Sequence, residues 1–455
     1  MDPEVSAVLH RSLQHKFLQL SRGEKSKLFF EDGSIVIDAS GGAAVACIGH
    51  GNDKVKKAIA AQLDKIAYCS TAFYTSSVCE ELCQELVQST HGFMTRALIV
   101  SSGSEAMEAA MKLARQYFLE KSTPEPQRVN FIARQQSYHG TTLGSLSMGG
   151  HVYRRAKFEP MLLNNISRVS PCFPYHNRNS QESDEAYVSR LAAELDAEFQ
   201  RLGPETVCAF VAEPVVGAAL GCVTSVPGYF KAMKQVCTKY GALLVLDEVM
   251  CGMGRTGTLH AWEQEDVVPD IQTLGKCLGG GYQPIAAMLV HRNVVEVMSN
   301  GTGAFVHGHT YQGHPIACAA ALEVQKIVKE ERLIENVRKL EPILSEGLIK
   351  SVSHHPNVGN IRGRGFFWGI EFVADKETGK PFPVSAGVAM GLAELGLSKE
   401  YGIAVYPGSG TVDGVNGDHV IISPAYNTTA EEIEEIVEIF QRLVSDYFKA
   451  KESTL

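Results

Sequence analysis

Residues 243–257 read LLVLDEVMCGMGRTG, and the fold follows from which part of that stretch carries chemistry. A run of aliphatic residues (243–246) has the composition of a strand buried on both faces, and it stops at two acids, Asp247 and Glu248. Gly252, Gly254 and Gly257 then fall in a Gly-x-Gly-x-x-Gly spacing. A dinucleotide-binding turn places its first glycine at the strand end, so that the pyrophosphate meets the N-terminus of the next helix. Here the strand ends five residues before Gly252, and the TLHAWEQEDVVPD after Gly257 is too short and broken for a crossover helix. In a chain with 42 glycines such a spacing also arises by chance. The acids are the informative part: a carboxylate ending a buried parallel strand lies in the crevice where such sheets bind ligands, although a strand-end acid can also cap a neighbouring helix.

Outward from this strand, strand-like and helix-like runs alternate. ALIV (97–100) precedes EAMEAAMKLARQYFLE, VNFIA (129–133) precedes SYHGTTLG, and VCAFVAEPV (207–215) precedes YFKAMKQVCTKYG and LLVLDEV. This predicts an α/β architecture, a mostly parallel sheet with helices on both faces. The run 315–352, PIACAAALEVQKIVKEERLIENVRKLEPILSEGLIKSV, has helical periodicity and is long enough to link two domains. GRGFFWGIEFV and DHVIISP then predict strands of a smaller α+β domain, closed by the helical EEIEEIVEIFQRLVSDYF. The strand- and turn-rich first 55 residues are expected to pack with that smaller domain. The expected division is therefore 1–55, a large domain at 56–314, and a linking helix with the small domain at 315–455.

The chain has 455 residues, 45% hydrophobic and 20% charged, ordinary for a soluble globular protein. A net charge of −9 argues against a nucleic-acid or anionic-membrane surface, since either needs a basic face. The start, MDPEVSAVLHRSLQHKFLQL, is broken by charges, and no later run approaches the roughly 18 uninterrupted apolar residues of a membrane span. The 11 cysteines include no CxxC pair; Cys79 and Cys83 are read as one face of a helix, so no metal site is expected. Free thiols fit a reducing, cytoplasmic compartment. The terminal STL differs from a peroxisomal address in having Thr454 at the basic position and is given little weight.

The lysine 29 residues after Asp247 gives the acid its meaning. In PDIQTLGKCLGGG, Lys276 sits among apolar residues and glycines with no acid within five residues. Partial burial lowers a lysine pKa and frees its amine for Schiff-base chemistry. Such a lysine together with an aspartate beside a pyridinium nitrogen is the pair that pyridoxal phosphate requires. A phosphate site is available in VSSGSEAMEAAMKLAR, where Gly103 allows close backbone approach and Ser104 offers a hydroxyl at a positive helix terminus. An ordinary N-cap would look the same. Tyr138 in SYHG follows the next strand and is placed either to stack on a cofactor ring or to be a buried aromatic. No Gly-x-x-x-x-Gly-Lys-Ser/Thr string exists, which excludes a P-loop.

The ordered set DASGGAAVACIGHGN, SSGSEA, SYHG, AEPVVG, LDEVMCGMGRTG, LGKCLGGGYQPIAA and HGHTYQGHPIACAAAL covers nearly the whole chain. Together these motifs resemble the class III, or ω-, aminotransferases, pyridoxal-phosphate enzymes of fold type I. The resemblance implies that Lys276 is the Schiff-base lysine and proton shuttle, and that Asp247 partners the pyridine nitrogen. It places Val249 and Tyr138 on the two ring faces, Gly103 and Ser104 at the phosphate, and Glu213 of AEPVVG near the cofactor. It brings Thr310 of HGHTYQGHP to the phosphate from a neighbouring subunit, hence a homodimer with shared active sites. The implied reaction moves an amino group from an amine or ω-amino acid to a 2-oxo acid such as pyruvate or 2-oxoglutarate. An aminomutase, an amino-acid racemase or a decarboxylating relative would use the same residues, and a silent cofactor-binding protein is disfavoured by Lys276. Three departures bear on substrate. Thr141 follows His-Gly where ornithine and GABA relatives carry arginine, and Met250 stands where many relatives have glutamine. YPGSGTVDGVNGDHVIISP holds no arginine where amine-converting relatives place a switching one. Arg255, Arg362 and Arg364 look structural in the family's pattern, so the group that binds a substrate carboxylate stays open.

Overall fold

The computed structural model describes residues 6–452; the first five residues and the terminal STL lie outside the described residues. Seven strands form the central sheet in the spatial order Met94–Val100, Ala286–His291, Ile271–Leu274, Leu243–Asp247, Val207–Ala212, Asn130–Arg134, Ile166–Val169. All share one direction except Ala286–His291, which runs antiparallel to both neighbours. Leu243–Asp247 lies in the middle with every residue buried. Its side chains alternate as a strand requires: Leu243 and Val245 pack with Met107, Ala110 and Ala114 of the Gly103–Glu120 helix, whereas Leu244 and Leu246 pack with Leu195, Phe230 and Met233 of the opposite helical layer. Both faces are covered, which is why the sequence shows a continuous apolar run instead of alternation. The same period sends Asp247 toward the Gly103–Glu120 helix and Glu248 to the other side.

Two expectations about helices are corrected. The run 315–352 is two helices, Pro315–Glu330 and Leu333–Val352, separated at Arg332, which adopts a left-handed φ of 53°. The apolar periodicity is interrupted there by the polar Glu330, Glu331 and Arg332 and resumes at Leu333, so one pattern spans two axes. SYHGTTLG is mainly a loop, with a helix only at Leu143–Met148. Gly140 turns the chain with φ 134°, and that turn delivers Tyr138 and His139 to the carboxyl ends of the strands.

Beyond the second helix, Val358–Arg364, Phe367–Asp375, Asp418–Ile422 and Tyr406–Ser409 form an antiparallel sheet in that spatial order. The Ala430–Glu452 helix packs on the Leu333–Val352 helix through Leu344, Leu348, Val437 and Phe440. Near the N-terminus, Leu20–Glu24, Lys27–Phe30 and Ile35–Asp38 form a third sheet completed by Ile403–Ala404, so the two ends of the chain share a sheet. Among the described residues no helix is long and apolar enough to cross a membrane.

Candidate active site

A cavity of about 430 Å³ opens at the carboxyl end of the central strands. Gly103, Ser104, Tyr138, Glu213, Asp247, Val249 and Lys276 all line it, although they come from five separate stretches of sequence. Asp247 is 4% exposed and is held from three directions. Its Oδ2 meets His139 Nδ1 at 2.7 Å, while Oδ1 accepts from the Val249 amide at 3.0 Å and from the Thr273 hydroxyl at 3.2 Å. A carboxylate so held keeps one orientation.

Lys276 starts a short turn after the Ile271–Leu274 strand, with a left-handed φ of 43°. That conformation is costly for a residue with a Cβ and is maintained here at the cavity wall. Its ammonium has no hydrogen-bond or ion-pair partner among the described residues. Burial pushes its pKa down, against the opposing pull of the Asp247 and Glu213 carboxylates. Glu213 is buried; its Oε1 accepts from the Tyr138 amide at 3.0 Å and its Oε2 from the Gly217 amide at 3.2 Å. Burial raises its pKa, with His139 pulling down and Asp247 pushing up.

The Gly103–Glu120 helix presents its N-terminus to the same cavity. Its capping box is formed by Ser102 and Glu105: Ser102 Oγ accepts from the Glu105 amide at 3.3 Å, and Glu105 Oε2 accepts from the Ser101 and Ser102 amides at 2.7 and 3.1 Å. The N-cap duty falls on Ser102, which leaves Ser104 free of it; the Ser104 hydroxyl instead accepts from the Thr141 amide at 3.0 Å. Gly103 is required by packing, since a Cβ there would lie 2.7 Å from Val249 Cγ1.

Thr310 does not join this cavity. It is exposed, in a loop that runs along the outside of the Gly103–Glu120 helix, with His307 Nδ1 3.0 Å from Lys112 Nζ and His309 Nε2 3.7 Å from Glu105 Oε2. His307 Nε2, His309 Nε2 and Gln312 Oε1 in the same loop are buried and have no hydrogen-bond partner among the described residues, His309 Nε2 having only its longer approach to Glu105. The glycines of 252–257 hold nothing from the strand end: Gly254 and Gly257 adopt φ of 98° and 93°, and a Cβ on Gly252 would meet Glu248 at 2.9 Å. Among the described residues no cluster of His, Cys, Asp or Glu could hold a metal ion.

Sequence reading passed over His139, Gln283 and Ile285 as cavity residues. For His139 a signal existed, because it follows Tyr138 in the same motif; Gln283 and Ile285 carry no local mark of function. Met250 lines the cavity wall, whereas Arg255 is fully buried on the carbonyls of Phe366 (3.2 Å) and Pro424 (2.6 Å). Arg362 pairs with Glu371 at 2.7 Å and Arg364 with Glu265 at 2.8 Å. These three arginines are all engaged in holding the fold.

A family model described as Aminotransferase class-III matches residues 8–444. The chain is 54% identical to an aminotransferase of Gibberella zeae over 94% of its own length and 84% of that protein. It is 47% identical to an uncharacterized aminotransferase of Schizosaccharomyces pombe, over 96% of this chain and 95% of that one. An amine transaminase from an uncultivated Pseudomonas species, solved in its pyridoxal-phosphate-bound form, superposes with a TM-score of 0.88 at 31% identity, covering 98% of both chains.

Proposed function

The chain belongs to the class III aminotransferase family, and we propose that its cavity moves an amino group from an amine or ω-amino acid to a 2-oxo acid such as pyruvate or 2-oxoglutarate. It is a transaminase of pyridoxal-phosphate fold type I and uses that cofactor. One observation carries the assignment of roles: the unpartnered Lys276 amine and the triply held Asp247 carboxylate line one cavity, with a helix N-terminus in its wall. The residues fit the cofactor. The first-turn amides of a helix have no internal partner and suit a phosphate. The buried His139 Nε2 has no partner among the described residues, which leaves His139 to act on the site through its other nitrogen.

When bound, pyridoxal phosphate supplies the electron sink that lets the amino-bearing carbon lose a proton. Lys276 would hold the cofactor, then take that proton and return it at the neighbouring carbon, a task suited to an amine whose pKa is lowered by burial. Asp247 would keep the pyridine nitrogen protonated, with His139 fixing the carboxylate's direction. Val249 and Tyr138 would pack on the two ring faces, Gly103 and Ser104 would take the phosphate, and Glu213 would shape the neighbouring wall.

Thr310 would serve the phosphate of a second subunit. Its exposure, and the three buried loop atoms that lack a hydrogen bond among the described residues, support a homodimer that completes both sites. Eleven cysteines, none in a disulfide, support a reducing cytoplasmic setting. The purified protein, given a panel of amine donors, tests the reading by the visible absorbance of its cofactor. Donors should bleach it, a 2-oxo acid should restore it, and turnover should require that acceptor; turnover without an acceptor would identify a mutase, racemase or decarboxylase instead.

A further inference from the structure

Arg154 and Arg155 are neighbours with different employment. Arg155 is buried; its guanidinium donates to the carbonyls of Ser147 at 2.8 Å and Gly149 at 2.7 Å and pairs with Glu159 at 3.0 Å. Arg154 is half-buried and has no hydrogen-bond or ion-pair partner among the described residues. Its Cζ lies 4.7 Å from the centroid of the Tyr138 ring, and Tyr138 lines the cavity. An arginine stacked on an aromatic face keeps its in-plane N–H fork available at the ring's edge.

On the side of the facing loop Arg154 has no competing cation. The Val152–Arg155 turn abuts the loop 410–417: a Cβ on Gly414 would come within 2.5 Å of Val152 Cγ2, and the nearby Gln136 Nε2 donates to Val412 O at 2.6 Å. That loop contains Asp413 and no lysine or arginine. The cavity lining itself holds two carboxylates, Asp247 and Glu213, against the single amine of Lys276. No arginine lines the cavity itself, so a guanidinium for an incoming carboxylate has to come from its rim. Arg134 and Arg255 are buried on backbone carbonyls, and Arg362 and Arg364 are paired with acids. Arg11, in the exposed segment ahead of the first strand, is the other guanidinium whose field reaches Tyr138, and more weakly than that of Arg154.

We infer that Arg154 receives the carboxylate of the 2-oxo acid, acting from the outer side of Tyr138 as a specificity-determining residue. The inference rests on the aminotransferase reading and adds the group which that reading left unassigned. It gives the chain a carboxylate site on the 136–155 side of the cavity, where the facing loop 410–417 carries no cation.

The test compares two acceptors on the holoenzyme with a donor that has no carboxylate, 1-phenylethylamine. Pyruvate carries the carboxylate and butanal does not. In Arg154→Gln, the ratio of kcat/KM for pyruvate to that for butanal should fall about ten- to a hundredfold, the usual weight of a hydrogen bond to a charged group. The fall should sit mainly in KM, and Arg154→Lys should recover part of it. Glutarate, which cannot react, provides a readout apart from turnover: calorimetry should show its affinity for the holoenzyme falling by a similar factor in Arg154→Gln. An unchanged ratio with unchanged glutarate affinity overturns the inference, as does a loss seen only in Arg11→Gln. If the wild type turned over neither acceptor, the proposed reaction would fail separately, and glutarate binding would still decide the role of Arg154.

Discussion

The carboxyl end of the Leu243–Asp247 strand faces two environments, and adjacent acids report on both. Asp247 turns toward the Gly103–Glu120 helix and opens onto the cavity, where a histidine, a threonine and a backbone amide hold it in one pose. Glu248 turns the other way and is 0% exposed. Its two oxygens accept from the amides of Ala261 at 2.6 Å and Trp262 at 2.8 Å, fastening the loop 249–260 to the turn at Ala261–Glu265. One carboxylate is held but left with a face toward open space, and the other is taken up by two backbone amides and the Gln272 side chain. Burial and hydrogen bonding are common to both, so neither separates a reactive acid from a structural one. The separation comes from whether free volume and an unpartnered amine lie opposite.

The strongest challenge to that contrast removes the amine. Lys276→Ala should reduce turnover below about a hundredth of wild type, because no other group lining the cavity is placed to move the proton. The variant should still bind the cofactor without its lysine-linked absorbance. Activity above that level would show that the open side of the strand does not owe its chemistry to Lys276.

Asp247→Asn comes next and addresses the acid directly. Asparagine keeps the size and can still accept from Val249 and Thr273, but it cannot hold a proton on the ring nitrogen by charge. Turnover should fall by roughly a hundredfold or more while part of the cofactor stays bound, since each 1.4 kcal/mol of transition-state energy is about a factor of ten. Steady-state kinetics matching wild type would place Asp247 in the same structural class as Glu248.

Much of the candidate site was legible because residue type at a strand end or helix start marks several residues that line the cavity. Asp247 and Lys276 announced themselves through one apolar run and one glycine-rich turn, and Gly103 through the strand-to-helix junction. What stayed hidden depends on alternation and on long-range packing. Nothing in the pair Asp-Glu says which acid faces the cavity until the strand's register puts Leu243 and Val245 with the Gly103–Glu120 helix. The pair Arg-Arg at 154 and 155 is equally mute, since only the fold buries the second and leaves the first on Tyr138. The 315–352 run read as one helix because both segments keep the same apolar period, while the break is a single backbone torsion at Arg332.

A smaller effect is expected at the rim. If Thr310 donates to the phosphate of a partner's cofactor, Thr310→Ala should weaken cofactor binding by about 1–3 kcal/mol, the cost of leaving a charged acceptor short of a donor. Cofactor affinity should then rise with protein concentration through the dimer dissociation constant, because binding and dimerisation strengthen each other equally. Cofactor titrations of both proteins at several dilutions measure this. Affinity that is independent of concentration and of the substitution would confine the site to one chain, making the exposed loop 305–314 irrelevant to it.

The least effect on turnover, and the sharpest test of the contrast, belongs to Glu248→Gln. Glutamine has one acceptor oxygen, so either the Ala261 or the Trp262 amide loses its partner inside the protein. Stability should drop by about 1–3 kcal/mol, the cost of an unsatisfied buried donor, while kcat/KM should change by less than about a factor of three, well under the roughly 1.4 kcal/mol that a tenfold change represents. The acid also leaves a mark on the pH dependence of folding. Burial pushes its pKa up to about 8, with the two amides pulling the other way, against an ordinary value of 4.5. A folded-state pKa above the unfolded one means that the folded chain binds the proton more tightly, so this group's contribution is full below about pH 4.5 and is lost as the pH rises through about 8. Glutamine cannot titrate, and its deficit relative to wild type should therefore be widest in mild acid and narrow steadily toward pH 9. Urea unfolding midpoints collected between pH 5 and 9 would show it. A deficit constant across that range would mean that Glu248 is ionised in the folded chain throughout, held charged by its two amides in spite of burial. The two acids would then differ only in what lies across from them.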